Sequence, residues 1–168
     1  GRLTCVSRTL SPTCVRAQDF DDLVRQAAVQ NAIPATWVRA VLHAESAGDP
    51  HAVSGAGAMG LMQLMPGTWK EVRRTLNLGA DPFDPRDNIA AGAAYLRWLH
   101  DRYGAEGFLA AYNAGPGRYD EHLSSGRPLP GETLSSVESV TLPMKNRSSD
   151  LAIPPPSVRL PAPSLLPP

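Results

Sequence analysis

Between Val38 and Met65 the chain reads VRAVLHAESAGDPHAVSGAGAMGLMQLM, and its first part has a helical rhythm. Val38, Val41 and Leu42 fall at the i, i+3, i+4 spacing of one apolar stripe. The next residue on that stripe, at i+7 from Val38, is Glu45. A carboxylate where the pattern calls for Leu or Val is either a solvated group at a fraying helix end or a working acid. Burial disfavours its charged form, and Gly48-Asp49-Pro50 ends the helix within a turn, so the negative end of the helix dipole is close. Both effects raise a carboxyl pKa toward the range a general acid needs.

The same periodicity predicts helices joined by short loops along most of the chain. Phe20, Leu23, Val24, Ala27 and Ala28 form one apolar face, with Asp19 as the expected cap. Pro34 suits the first turn of the helix that carries Glu45, and Pro66 opens a third with Trp69, Val72 and Leu76 at helical spacing. Asp84-Pro85 is a cap and first-turn proline. Behind it the longest helix turns Ile89, Ala93, Leu96, Leu99 and Tyr103 inward and stops at Gly104. A short helix spans Glu106 to Tyr112, and another follows Pro116 with Tyr119 and Leu123. Only Val53 to Leu64 leaves room for strands, as one small hairpin. The fold class expected is mainly α with that minor sheet.

Composition changes this picture little. Lys+Arg and Asp+Glu are both 16 of 168 residues, so the net charge of +0 implies no nucleic-acid or membrane-surface partner. Hydrophobic residues make up 42%, enough for a core, and no apolar run approaches the length of a membrane span. Arg2 and Arg8 have no continuous apolar segment behind them, so no signal peptide is read, and the start at Gly1 fits a mature or trimmed form. Past Leu142 the character shifts, and residues 153–168 hold seven of the 17 prolines. The expected organisation is therefore an N-terminal extension over 1–17, one domain over 18–140 and a Pro-rich, extended or disordered tail over 141–168.

Several motifs have ordinary explanations. Gly55-Ala56-Gly57-Ala58-Met59-Gly60 satisfies G-x-G-x-x-G, but a helix precedes it and no parallel strands follow, so it is not a dinucleotide loop. His43, Glu45, Asp49 and His51 do not make a metal site, because His43 and Glu45 point to different helix faces. Trp69, Tyr95 and Trp98 read as core. The Tyr112-Asn113 pair, entering the Ala114-Gly115-Pro116-Gly117 turn, reads as part of a site, although Asn113 can also satisfy its own turn.

Three segments in this order, Glu45-Ser46, Gly60-Leu61-Met62-Gln63-Leu64-Met65-Pro66 and Ala111-Tyr112-Asn113-Ala114-Gly115-Pro116-Gly117, resemble the signatures of the soluble lytic transglycosylase family. The resemblance implies a lysozyme-like helical domain with a small β-hairpin beside its cleft, acting on peptidoglycan without metal or cofactor. It implies an exported protein of the periplasm or cell envelope, with glycan strands as its partner and an envelope-spanning secretion or conjugation apparatus as a candidate second one. Glu45 would be the single acid and base, closing a 1,6-anhydro ring on N-acetylmuramic acid. Ser54, Gln63, Met65, Tyr112 and Asn113 match substrate-side positions, while Ser46, Gly60 and Glu132 match supporting ones. In an oxidising envelope Cys5 and Cys14 would pair rather than stay free thiols, a link worth about 2–3 kcal/mol.

One position departs from the family. Its cleft-closing helix begins Glu-Thr and carries a Tyr-Val pair. Here Glu132-Thr133, Val137 and Val140 are present, but Ser136 stands at the tyrosine position. Two other readings share the motifs: a goose-type lysozyme, which transfers to water, and a non-catalytic peptidoglycan-binding component. The first would need a second carboxylate, for which Asp81 and Glu132 are the candidates.

Overall fold

Proline sets where the helices start. The computed structural model describes residues 12–145, with side chains from 20 to 141. Within that range lie α1 (Pro12–Asn31), α2 (Ala35–Ser46), α3 (Pro66–Thr75), α4 (Pro85–Ala114), α5 (Pro116–Ser125) and α6 (Gly131–Lys145). Pro66, Pro85 and Pro116 are first residues, and Pro34 stands at the cap of α2. A fixed φ and no N–H to satisfy suit that position. Among the described residues α1 runs straight through the expected Asp19 cap, because no breaker interrupts it there. Cys5, the Cys14 side chain and the tail from residue 146 lie outside the described residues.

α4 is the hub. Its first half buries Ile89, Ala91, Gly92, Ala93, Ala94, Tyr95, Leu96, Trp98 and Leu99, so it is apolar nearly all round, as a central helix must be. α1, α2, α3, α5 and α6 all pack on it, and α6 also crosses α2. Gly104, at φ 69°, breaks α4 into two helical runs, so the expected stop there is a sharp kink with helix on both sides. Arg97 of α4 donates to the Ala32 carbonyl at 2.9 Å, holding the carboxyl end of α1. Trp69, Tyr95 and Trp98 are core, as their spacing predicts, whereas Leu123 on α5 is exposed.

The predicted hairpin is absent among the described residues. Val53 to Leu64 holds only two isolated antiparallel bridges, Val53 with Met59 and Met59 with Leu64. Gly57, Gly60 and Gln63 have φ of 89°, 75° and 45°, so the backbone reverses every third residue. No extended run survives that is long enough to form a strand.

Candidate active site

The stripe that singled out Glu45 is real. Val38, Val41 and Leu42 are buried, and Glu45 follows them, partly buried, one residue before the end of α2. Desolvation raises its carboxyl from the ordinary 4.5 to about 7. The chain leaves α2 through Ala47, at φ 50°, whose N–H donates to the His43 carbonyl. Ser46 completes this exit. Its hydroxyl donates to the Leu42 carbonyl at 3.1 Å and accepts from the Gly48 N–H at 3.2 Å, so it orders the turn after the helix.

The loop beyond is braced from within and from α4. Ser54 Oγ accepts from the Ala58 N–H at 3.0 Å, and the Gly60 N–H donates to the Ala52 carbonyl at 2.9 Å. Gln63 Nε2 donates to the carbonyls of Ala52 at 3.1 Å and Gly60 at 2.9 Å. Both amide hydrogens are thereby engaged within the loop. Met65 is exposed at the mouth of α3.

Asn88 fastens this loop to the core, and the motifs did not point to it. It is 1% exposed, its Oδ1 accepts from the Met62 N–H at 2.7 Å, and its Nδ2 donates to the carbonyls of Pro82 at 2.8 Å and Met59 at 3.1 Å. Gly60 is needed beside it, since a Cβ there would lie 2.5 Å from Asn88 Nδ2 and 2.7 Å from the Pro82 carbonyl. A Cβ on Gly92 would likewise lie 2.5 Å from the Met62 side chain, so this glycine lets Met62 seat directly on α4.

Tyr112 joins the loop to the core. Its hydroxyl donates to the Met62 carbonyl at 2.7 Å, and its ring lies 5.5 Å from that of Tyr95. The hydroxyl is enclosed although the residue as a whole is partly exposed. Burial first, then the nearby charges of Glu45 and Tyr95, push its pKa well above the ordinary tyrosine value. Asn113 is exposed beside it at the end of α4. Glu132 is exposed in the first turn of α6, and Ser136 is partly buried one turn on.

The other carboxylates of this region are committed to turns. Asp49 accepts from the His51 N–H at 2.9 Å, Asp81 from the Phe83 N–H at 2.9 Å and Asp84 from the Asp87 N–H at 3.0 Å. Asp87 accepts from the Gly79 N–H at 2.7 Å. Among the described residues no three His, Cys, Asp or Glu side chains gather as a metal site. A cavity of about 810 Å³ lies apart, between α1, α2 and α6, lined by Asp21, Arg25, Arg39, His43 and Ser139. Its one carboxylate, Asp21, is paired with Arg39 at 2.9 Å.

The family described as "Transglycosylase SLT domain" matches residues 22–132, a span that includes Glu45, the braced loop and Tyr112. This chain belongs to that family. The soluble lytic murein transglycosylase of Escherichia coli K12 is 35% identical over 130 residues, which are 72% of this chain and 20% of that protein. The transglycosylase of Enterobacteria phage PRD1 is 36% identical over 117 residues, 69% of this chain and 42% of the phage protein. The structure of an inactive mutant of lytic transglycosylase Slt from Pseudomonas aeruginosa superposes with a TM-score of 0.67 at 34% identity. That match covers 86% of this chain and 25% of the other. This SLT chain thus spans about a fifth of its Escherichia coli relative, and its domain occurs inside larger proteins of different length.

Proposed function

We propose that this SLT domain cleaves the β-1,4 bond between N-acetylmuramic acid and N-acetylglucosamine in peptidoglycan, as a lytic transglycosylase with Glu45 as its single acid and base. The observation that carries the reading is one half-buried carboxyl, raised to about 7, in a domain whose neighbouring aspartates are all engaged in turns. Protonated Glu45 gives its proton to the glycosidic oxygen as the bond to the muramyl C1 breaks. The substrate's own acetamido oxygen stands in for the nucleophile that a second carboxylate would otherwise supply. Glu45, now ionised, takes the proton of the muramyl C6 hydroxyl as that oxygen bonds to C1. The acid is regenerated, and no water enters.

Ser54, Gln63, Met65, Tyr112 and Asn113 would meet the glycan. The braced loop would offer the Gln63 carbonyl oxygen and the exposed thioether of Met65, and the exposed Asn113 would add its amide. The place of action would be the cell envelope, where the polymer lies. Membership of a family with an inactive solved mutant and murein-cleaving relatives supports the reading over a purely binding role. Glu45→Gln keeps the shape of the side chain and removes its proton chemistry. It is expected to bind sacculi as before and to lower turnover by at least about a hundredfold. Digestion of sacculi at near the wild-type rate would remove Glu45 from the reaction.

A further inference from the structure

We propose that His100 is a pH-sensitive joint of the fold: its uncharged imidazole pins α2 and the run of α4 beyond Gly104 to the first run of α4, and protonation of that ring loosens both. The inference concerns a group that the proposed reaction does not use, and it stands whether or not Glu45 is the acid.

His100 falls on an inward stripe of α4, at i+7 from Ala93 and i+4 from Leu96, where the pattern calls for an apolar residue. Its ring meets two others. The Trp37 ring of α2 lies 5.1 Å away at 47°, and the Phe108 ring lies 5.4 Å away at 74°. Trp37 and Phe108 also stack on each other at 4.7 Å. Both are buried, so the three rings make one apolar cluster where three stretches of helix meet. His100 stands one turn before the Gly104 kink and Phe108 one turn after it, so the cluster spans the kink. Through Trp37 it also holds α2, about two turns ahead of Glu45.

Nδ1 of His100 is enclosed and has no hydrogen-bond partner among the described residues. A neutral imidazole can leave one nitrogen without a proton. An imidazolium carries a proton on both, and the one on Nδ1 would find no hydrogen-bond acceptor in this cluster. The charged groups that face the ring are Asp101 and Arg97, both on α4 itself, and they pair with each other at 2.8 Å. Their effects on His100 oppose one another. α2 and the second run of α4 present the rings of Trp37 and Phe108, and the Ala32 carbonyl at the end of α1 is taken by Arg97. Burial therefore dominates and lowers the pKa of His100 below the ordinary 6.5. As pH falls below 6.5, the unfolded chain takes up this proton before the folded one does, so the cluster loses stability on the acid side.

The test follows the His100 imidazole by carbon–proton NMR in the whole chain without substrate, assigned through its backbone resonances. Its midpoint is expected below 6.5. Amide hydrogen exchange, corrected for the direct effect of pH on the exchange chemistry, gives the structural readout. On lowering the pH from about 7.5 to about 5, exchange at Trp37 and at Phe108 should rise in wild type. In His100→Phe, which fills the cluster and takes no proton, it should stay level. Ionisation of Glu45 acts in the opposite direction, so it does not mimic this rise. If Phe overfills the site and the variant does not fold, His100→Leu makes the same comparison. A His100 midpoint at or above 6.5, or exchange that responds to pH alike in wild type and the folded variant, overturns the proposal. Full activity in Glu45→Gln would instead remove Glu45 from the reaction and leave both measurements standing.

Discussion

Glu45, the proposed acid, destabilises the fold once it ionises. The Glu45 pKa rises from 4.5 to about 7 on folding, so between those values the folded chain binds more protons than the unfolded one. The contribution of Glu45 to stability is then greatest below pH 4.5 and falls as pH rises, with the full penalty present above pH 7. Glu45→Gln removes this dependence. Discounted for partial exposure, the penalty is about 1 kcal/mol, or about 2–4 °C in Tm for a chain of this size. The variant should melt higher than wild type by that amount at pH 8 and match it at pH 4.5. Equal melting temperatures at both would mean that Glu45 is not desolvated. The same polar-on-apolar reasoning that exposed Glu45 in the sequence applies to Asn88, which shares a stripe with Gly92, Tyr95 and Leu99. It passed unnoticed because Asp84 and Asp87 beside it gave the whole turn a capping explanation, and no spacing rule links it to Met62, 26 positions earlier.

At the scale of elements, the helices were legible and the loop between α2 and α3 was not. Helix starts follow from local rules, as Pro66, Pro85 and Pro116 show, since a proline needs no partner to fix its φ. The course of Val53 to Leu64 depends on contacts with α4 that no local pattern records. A small hairpin was expected over Val53 to Leu64 only because that stretch alone left room for strands. Gly60 tests the account of this loop. Ala at that position meets both the left-handed backbone, at φ 75°, and the Asn88 amide at 2.5 Å. Gly60→Ala should cost about 2–4 kcal/mol in denaturant unfolding. Gly48→Ala, with φ 85° and nothing within 4 Å of its Cβ, should cost about 1–2 kcal/mol for the backbone alone. Equal losses would mean that the fit of Gly60 against Asn88 contributes nothing.

At the scale of the whole molecule, α4 organises both fold and site. One half of it supplies Asn88 and Gly92 beneath the loop, and the run after the Gly104 kink carries Tyr112 back toward Glu45. In the proposed mechanism Glu45 acts without a second carboxylate, among the described residues, to direct a water. The muramyl C6 hydroxyl, already tethered to the reacting sugar, then has the advantage of high effective concentration over solvent. Loss of turbidity cannot separate this route from hydrolysis, because both cut the same bond. Mass spectrometry of the muropeptides that this chain releases from purified sacculi does separate them. The account predicts products ending in 1,6-anhydro-N-acetylmuramic acid, lighter by one water than hydrolysis products and with no new reducing end. Reducing-end muropeptides as the main product would contradict it and require a second carboxylate, with Asp81 and Glu132 the first to replace.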